Sequence, residues 1–204
     1  MNAIPIDLAV EDELSDAVLR RLIAVVRRDF EIGRTHRNKG FGYLKRTIPG
    51  WNDAAKGIPM MVLTDLDQHK CPAGMLDDWL PNGRHPNLLF RVAVRDVEAW
   101  LLADRKGLAG FLQCSPGALP EAPESLADPK AALIDAARRS RSRQLRDDIV
   151  PRRGSTAKIG RGYNAVLTVF VRESWAVAEA AGRAPSLARA VARLETFRPV
   201  WLGT

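Results

Sequence analysis

Met60-Met61-Val62-Leu63-Thr64 runs without a break into Asp65-Leu66-Asp67. The apolar run follows a Gly57-Ile58-Pro59 turn and reads as a strand buried on both faces, as strands of parallel sheets are. Open parallel sheets gather functional groups just beyond the carboxyl ends of their strands, which is where Asp65 and Asp67 fall. Upstream, Ile4, Ile6, Leu8 and Val10 alternate and predict a strand over 4–10. Pro5 sits at its start, where a missing N–H does least harm. Glu11 ends this strand as Asp65 ends the other.

Around these two strands the chain alternates. Ser15 can cap a helix carrying Val18, Leu19, Leu22, Ile23, Val25 and Val26 and ending near Arg28. Residues 33–42 read as a basic, glycine-bearing loop with Arg34, His36, Arg37 and Lys39. A short helix over 43–56 is interrupted at Pro49-Gly50. A helix over 73–80, the turn Pro81-Asn82-Gly83, a strand over 88–94 and a helix capped by Asp96 follow. The expectation is an α/β fold, an open parallel sheet flanked by helices with right-handed crossovers. Pro116, Gly117, Pro120, Pro123 and Pro129 mark a connector. Beyond it, 131–139, 142–148, 165–179 and 186–195 read as helices, although Val166-Leu167-Thr168-Val169-Phe170-Val171 also suits a strand. The predicted organisation is an α/β domain over 1–114 and a mainly helical, basic region over 115–204 packed on it.

The chain has 204 residues with a net charge of +7, 46% of them hydrophobic and 27% charged, which excludes a disordered chain. Two cysteines, Cys71 and Cys114, are too few for a disulfide framework or a thiolate zinc site. No apolar run is long enough for a membrane helix, and the first residues lack the basic and apolar regions of a signal peptide. A reducing, cytoplasmic setting is expected. Nine basic residues against Asp147 and Asp148 lie between Arg138 and Gly162, and they carry the whole net charge, since the remaining chain balances at 22 each. Such a block attracts polyanions, and it is also what a solvated arginine-rich helix and loop would look like. Within it, Lys158-Ile159-Gly160-Arg161-Gly162-Tyr163-Asn164 offers flexible backbone, two cations and an aromatic ring that could cradle a phosphate or stack a base. Arg152, Arg153, Lys158 and Arg161 are the candidate nucleic-acid contacts. Trp51, Trp79, Trp100, Trp175 and Trp201 read as packing residues.

The carboxylates carry the chemistry. Glu11, Asp65 and Asp67 at neighbouring strand ends would repel one another unless a cation joined them, and an all-oxygen donor set suits Mg²⁺ or Mn²⁺. Singly, each is also read as a capped turn or a first-turn helix carboxylate. His69 is a lone loop histidine, Lys39 and Arg37 are possible phosphate contacts in a solvated loop, and Asp104 is placed to end one helix or cap the next. There is no P-loop, dinucleotide fingerprint or G-x-S-x-G elbow.

Ile6-Asp7-Leu8-Ala9-Val10-Glu11 followed by a helix, together with Met61-Val62-Leu63-Thr64-Asp65-Leu66-Asp67, resembles the two signature motifs of the Toprim domain of topoisomerases, primases and OLD-type nucleases. Val94-Arg95-Asp96-Val97-Glu98-Ala99-Trp100-Leu101-Leu102-Ala103-Asp104 is similar to a segment of small bacterial Toprim-like proteins near the OLD nucleases. The likeness covers roughly residues 4–110. It implies a Toprim-like sheet and a metal-dependent nuclease acting on DNA or RNA. Glu11 would be general base or metal-linked glutamate, Asp65 and Asp67 metal ligands, and Glu98 a further catalytic carboxylate. It also implies an ATPase subunit as partner, since the chain has no Walker motif, and a role in defence against phage or plasmids. One position departs from the pattern: Asp12 stands where a glycine usually follows the glutamate. A non-catalytic Toprim-like subunit and a phosphatase or phosphotransferase for a small phosphorylated ligand are the alternative readings.

Overall fold

A computed structural model describes residues 3–37 and 40–201. Its contacts divide the chain into two compact units, Met1–Val94 with Arg189–Thr204, and Arg95–Ala188. Residues 95–114 therefore count with the second unit.

The first unit is an α/β sheet with all strands parallel. Its elements are β1 (Ile4–Val10), α1 (Glu13–Val25), β2 (Phe30–His36), α2 (Gly40–Ala54), β3 (Met60–Asp65), α3 (Pro72–Trp79) and β4 (Leu88–Ala93). The sheet order is β2-β1-β3-β4, with Val10 beside Leu63 and Leu63 beside Arg91. Alternate residues of β3 and β4, Met60, Val62, Leu88, Phe90 and Val92, pack with Leu44, Ile48 and Trp51 of α2 and Met75 and Trp79 of α3. Met61, Leu63, Leu89 and Ala93 point to the other face and are equally buried. The two-faced burial explains why β3 reads as an uninterrupted apolar run.

Phe30–His36 is a strand, not the start of the expected loop. It is an edge strand of mixed polarity, and its register on β1 breaks between Ile6 and Leu8. There the Asp7 carboxylate accepts the Arg34 N–H at 2.7 Å. A Cβ at Gly33 would lie 2.4 Å from the same oxygen, so a side chain here would displace the Asp7 carboxylate from its bond to Arg34. The first helix is capped by Asp12, whose Oδ1 accepts from the Ser15 N–H at 2.9 Å, rather than by Ser15. The second helix passes through Pro49-Gly50 without stopping. The Asn87 side chain is fully buried and clamps the tail, donating to the Val200 carbonyl and accepting the Val200 N–H.

The second unit is helical: α4 (Val97–Ala103), α5 (Arg105–Leu112), two short 3₁₀ turns, α6 (Pro129–Arg138), α7 (Arg143–Ile149), α8 (Tyr163–Glu173) and α9 (Val177–Ala181). A last helix, α10 (Pro185–Glu195), contributes its first residues to this unit and the rest to the first. Every residue of α4 is buried, and Trp100 donates its indole N–H to Ser186 Oγ at 2.7 Å. Asp104 ends α4 and caps α5, accepting from Gly107 and Ala176 N–H groups at 3.0 and 2.9 Å. Residues 166–171 are helical, and this helix stops at Glu173 instead of running to 179. Trp51, Trp79, Trp100 and Trp175 are buried, whereas Trp201 is half-exposed. Among the described residues no helix is long and apolar enough to cross a membrane.

Candidate active site and nucleic-acid interface

In the order β2-β1-β3-β4 the chain leaves β1 for one side of the sheet and later leaves β3 for the other. The switch point lies between β1 and β3, and the crevice beyond the carboxyl ends of such a pair is where open α/β sheets bind ligands. Glu11 and Asp65–Asp67 occupy those two ends. Parallel pairing of Val10 with Leu63 sets Glu11 beside Thr64. The Thr64 hydroxyl donates to Glu11 Oε1 at 2.7 Å, and the Asp65 backbone N–H donates to the same oxygen at 3.1 Å. The sequence alone does not mark Thr64, because its part depends on the strand register. Leu66 is buried, and its N–H bonds the Ala93 carbonyl at 2.9 Å, so the Asp-Leu-Asp turn is anchored to β4. Asp67 takes a left-handed backbone with φ of 48°, a conformation that aspartate tolerates better than most residues.

Burial pushes the Glu11 carboxyl above the usual carboxylate range. The Thr64 hydroxyl and Asp65 N–H pull it back, and the neighbouring charges of Asp67 and Asp12 push it further up. Asp12 thus adds a like charge beside the glutamate as well as capping α1.

The donor chemistry here is all oxygen. Among the described residues, no three His, Cys, Asp or Glu side chains form a group placed to hold a metal ion. Mg²⁺ keeps most of its waters and is commonly held by one or two carboxylates, and Glu11 and Asp67 already repel each other. A cation would relieve that repulsion, so these residues suit a hard divalent ion.

Glu98 lies in the second unit, 2% exposed. Its Oε1 accepts from the Tyr163 hydroxyl at 2.9 Å and lies 3.4 Å from Lys130 Nζ. Tyr163 is therefore a buried partner of Glu98 and not a surface ring for stacking a base. Asp96 makes no side-chain capping bond, contrary to expectation, and its buried Oδ1 has no hydrogen-bond partner. Burial first, then the Glu98 charge, push the Asp96 carboxyl up to about 7, with Lys130 opposing. Asp96, Lys130 and Tyr163 leave no joint mark in the sequence, because residues far apart in the chain meet only after folding.

The basic block forms two concavities that share Asp147, Val150 and Arg152. The larger, about 530 Å³, is lined by Arg138, Arg146, Arg152 and Arg153, and the smaller, about 260 Å³, by Arg152 and Arg161. The segment between α7 and α8 returns on itself through the Gly160 and Gly162 N–H groups, which bond Ile149 and Asp148 carbonyls at 2.9 Å each. A Cβ at Gly160 would lie 2.2 Å from the Asp148 carbonyl oxygen, so this closure needs glycine. Arg152, Arg153, Lys158 and Arg161 are exposed and form no ion pair among the described residues.

Other candidates are committed elsewhere. Arg37 pairs with Asp16 at 3.1 Å, His69 lies 3.6 Å from Asp78 Oδ2, and Lys39 falls outside the described residues. Comparison of the chain with protein-family models, curated proteins and solved structures finds no match.

Proposed function

We propose that this chain is a Mg²⁺- or Mn²⁺-dependent phosphodiesterase that cleaves nucleic acid, DNA or RNA, in the manner of Toprim- and OLD-type nucleases. The observation that carries the reading is Glu11 bonded across the sheet's switch point to Thr64 and Asp65, with Asp67 close enough to repel it. Glu11, Asp65 and Asp67 would hold the ion, which when bound supplies polarisation of a phosphoryl oxygen and activation of water. Thr64 fixes Glu11 Oε1 with a hydroxyl hydrogen bond. The raised proton affinity of Glu11 makes it a stronger base than an exposed glutamate. Arg152, Arg153, Lys158 and Arg161 would engage phosphates of the strand by counterion release.

The test is cleavage of plasmid, single-stranded DNA and transfer RNA with Mg²⁺ or Mn²⁺ against a chelator control. Glu11→Gln and Asp67→Asn should each lower the rate about 10²-fold or more without unfolding the chain. Full activity in both variants would remove the site from the reaction. Exchanging Arg152 and Arg153 for glutamine should weaken oligonucleotide binding and make its logarithmic salt dependence shallower by about two charges. A chain inert until an ATPase is added would instead identify a non-catalytic subunit, and a preference for mononucleotides would identify a small-phosphate enzyme. A part in phage or plasmid defence belongs to the same proposal and is read by plaque or transformation assays in cells carrying these variants.

A further inference from the structure

A second arginine group lies wholly within the first unit, away from the basic block in sequence. Arg91 is the fourth residue of β4, and its neighbours Phe90 and Val92 pack toward α2 and α3, so its side chain leaves on the opposite face. Arg84 precedes the same strand. Arg193, on the part of α10 that belongs to this unit, donates to the Pro86 carbonyl at 3.1 Å, which ties the helix to the segment joining Arg84 and Arg91. Its guanidinium also lies 5.3 Å from the centre of the buried Phe197 ring. Arg189 sits one helical turn earlier.

None of these four arginines forms an ion pair among the described residues, and the Nε of Arg91 is buried without a hydrogen-bond partner. Buried charges are ordinarily paired and their N–H groups bonded. Arg91 does the reverse: burial and the like charges of Arg84, Arg193 and Arg189 push it down to about 10, and partial burial and Arg193 push the neighbouring Arg84 down. An anion seated among them would relieve the mutual repulsion and give the Arg91 Nε an acceptor. Guanidinium forks match the tetrahedral oxygens of phosphate in charge and geometry.

We propose that Arg84, Arg91, Arg189 and Arg193 form an anion site that takes a phosphate group, whether a phosphodiester of a nucleic-acid backbone or a free phosphate. The site is built from residues other than the carboxylates of the proposed nuclease centre and does not depend on that reading. The test uses the full chain at low salt with a chelator present, so that no cleavage occurs. The probes are inorganic pyrophosphate, read as a shift of the thermal midpoint, and a fluorescein-labelled single-stranded oligonucleotide, read by anisotropy. Arg84→Gln with Arg189→Gln alters exposed side chains only, and without probe its midpoint should equal or exceed that of the parent chain. Arg152→Gln with Arg153→Gln is the control.

Pyrophosphate affinity about tenfold weaker per arginine removed, a larger loss than the control variant shows, assigns the site to a free phosphate. Loss of oligonucleotide affinity beyond that of the control, with pyrophosphate silent, assigns it to a phosphodiester backbone. Equal binding of both probes by the Arg84/Arg189 variant and the parent chain, or no binding of either probe to the parent chain, overturns the proposal.

Discussion

Glu98 is buried and Glu11 partly so, and the protein treats them in opposite ways. Glu98 is matched from within: Lys130 stands 3.4 Å from the carboxylate oxygen that also accepts the Tyr163 hydroxyl. Glu11 has two neutral donors on one oxygen, and its charged influences are the like charges of Asp67 and Asp12. A carboxylate with an internal cation is held as part of the architecture. One surrounded by its own sign gains most from a cation supplied from solution, which is the arrangement expected where a divalent ion or a proton is handled. The contrast separates two acidic positions that look alike in the sequence.

The largest effect should come from breaking the matched one. Lys130→Met takes the cation of this pair from a buried carboxylate, and with the lysine partly exposed the cost lies between that of a surface pair and that of a buried one, about 2 kcal/mol. Lys130 is itself 40% exposed at its side chain, so the loss falls on the glutamate. Urea unfolding of Lys130→Met and Lys130→Arg reads this directly, with the arginine variant retaining most of the stability. A loss below about 1 kcal/mol in Lys130→Met, the range of a surface pair, would erase the contrast.

Next comes the pH dependence of the same neighbourhood. Asp96 faces the charges of Glu98, Lys130 and Asp128, and its carboxyl in the fold ionises only at about 7. In the unfolded chain an aspartate has lost its proton above about 4. Between these values the folded state binds the extra proton, so the contribution of Asp96 to stability falls as pH rises through that window and stays at its low value above it. Asp96→Asn should flatten this part of the stability profile and make the protein relatively more stable at pH 8 than at pH 5. An unchanged slope would show that Asp96 is ionised in the fold at low pH, and that Lys130 serves both carboxylates.

What the sequence discloses follows the locality of the physics. β1, β3 and β4 show themselves through alternation or an unbroken apolar run, because their side chains meet helices on the sheet faces. β2 does not, since an edge strand interrupted at Gly33 carries Glu31, Arg34 and Thr35 without a core-facing rhythm. Glu11, Asp65 and Asp67 are visible because a strand's end is visible. Thr64 is not, because only the register of β1 on β3 puts its hydroxyl against Glu11. The arginines of 138–162 emerge from a charge count, whereas Arg84 and Arg91 meet Arg189 and Arg193 across about a hundred residues and leave no local excess.

The smallest expected effect is the most discriminating for the site itself. Glu11→Gln removes a partly buried charge that Asp67 and Asp12 oppose, while the amide oxygen can still accept from the Thr64 hydroxyl and the Asp65 N–H. The change in stability should therefore lie within about 1 kcal/mol and favour the variant, as happens when a group is kept for its chemistry at the expense of the fold. Metal binding gives the other half of the measurement. Parent chain titrated with Mn²⁺ should gain stability in proportion to occupancy, by mass action on the folded state, and Glu11→Gln should gain less. A Glu11→Gln variant that is clearly destabilised without metal, and equally stabilised by it, would place Glu11 with Glu98 among the residues that hold the fold together.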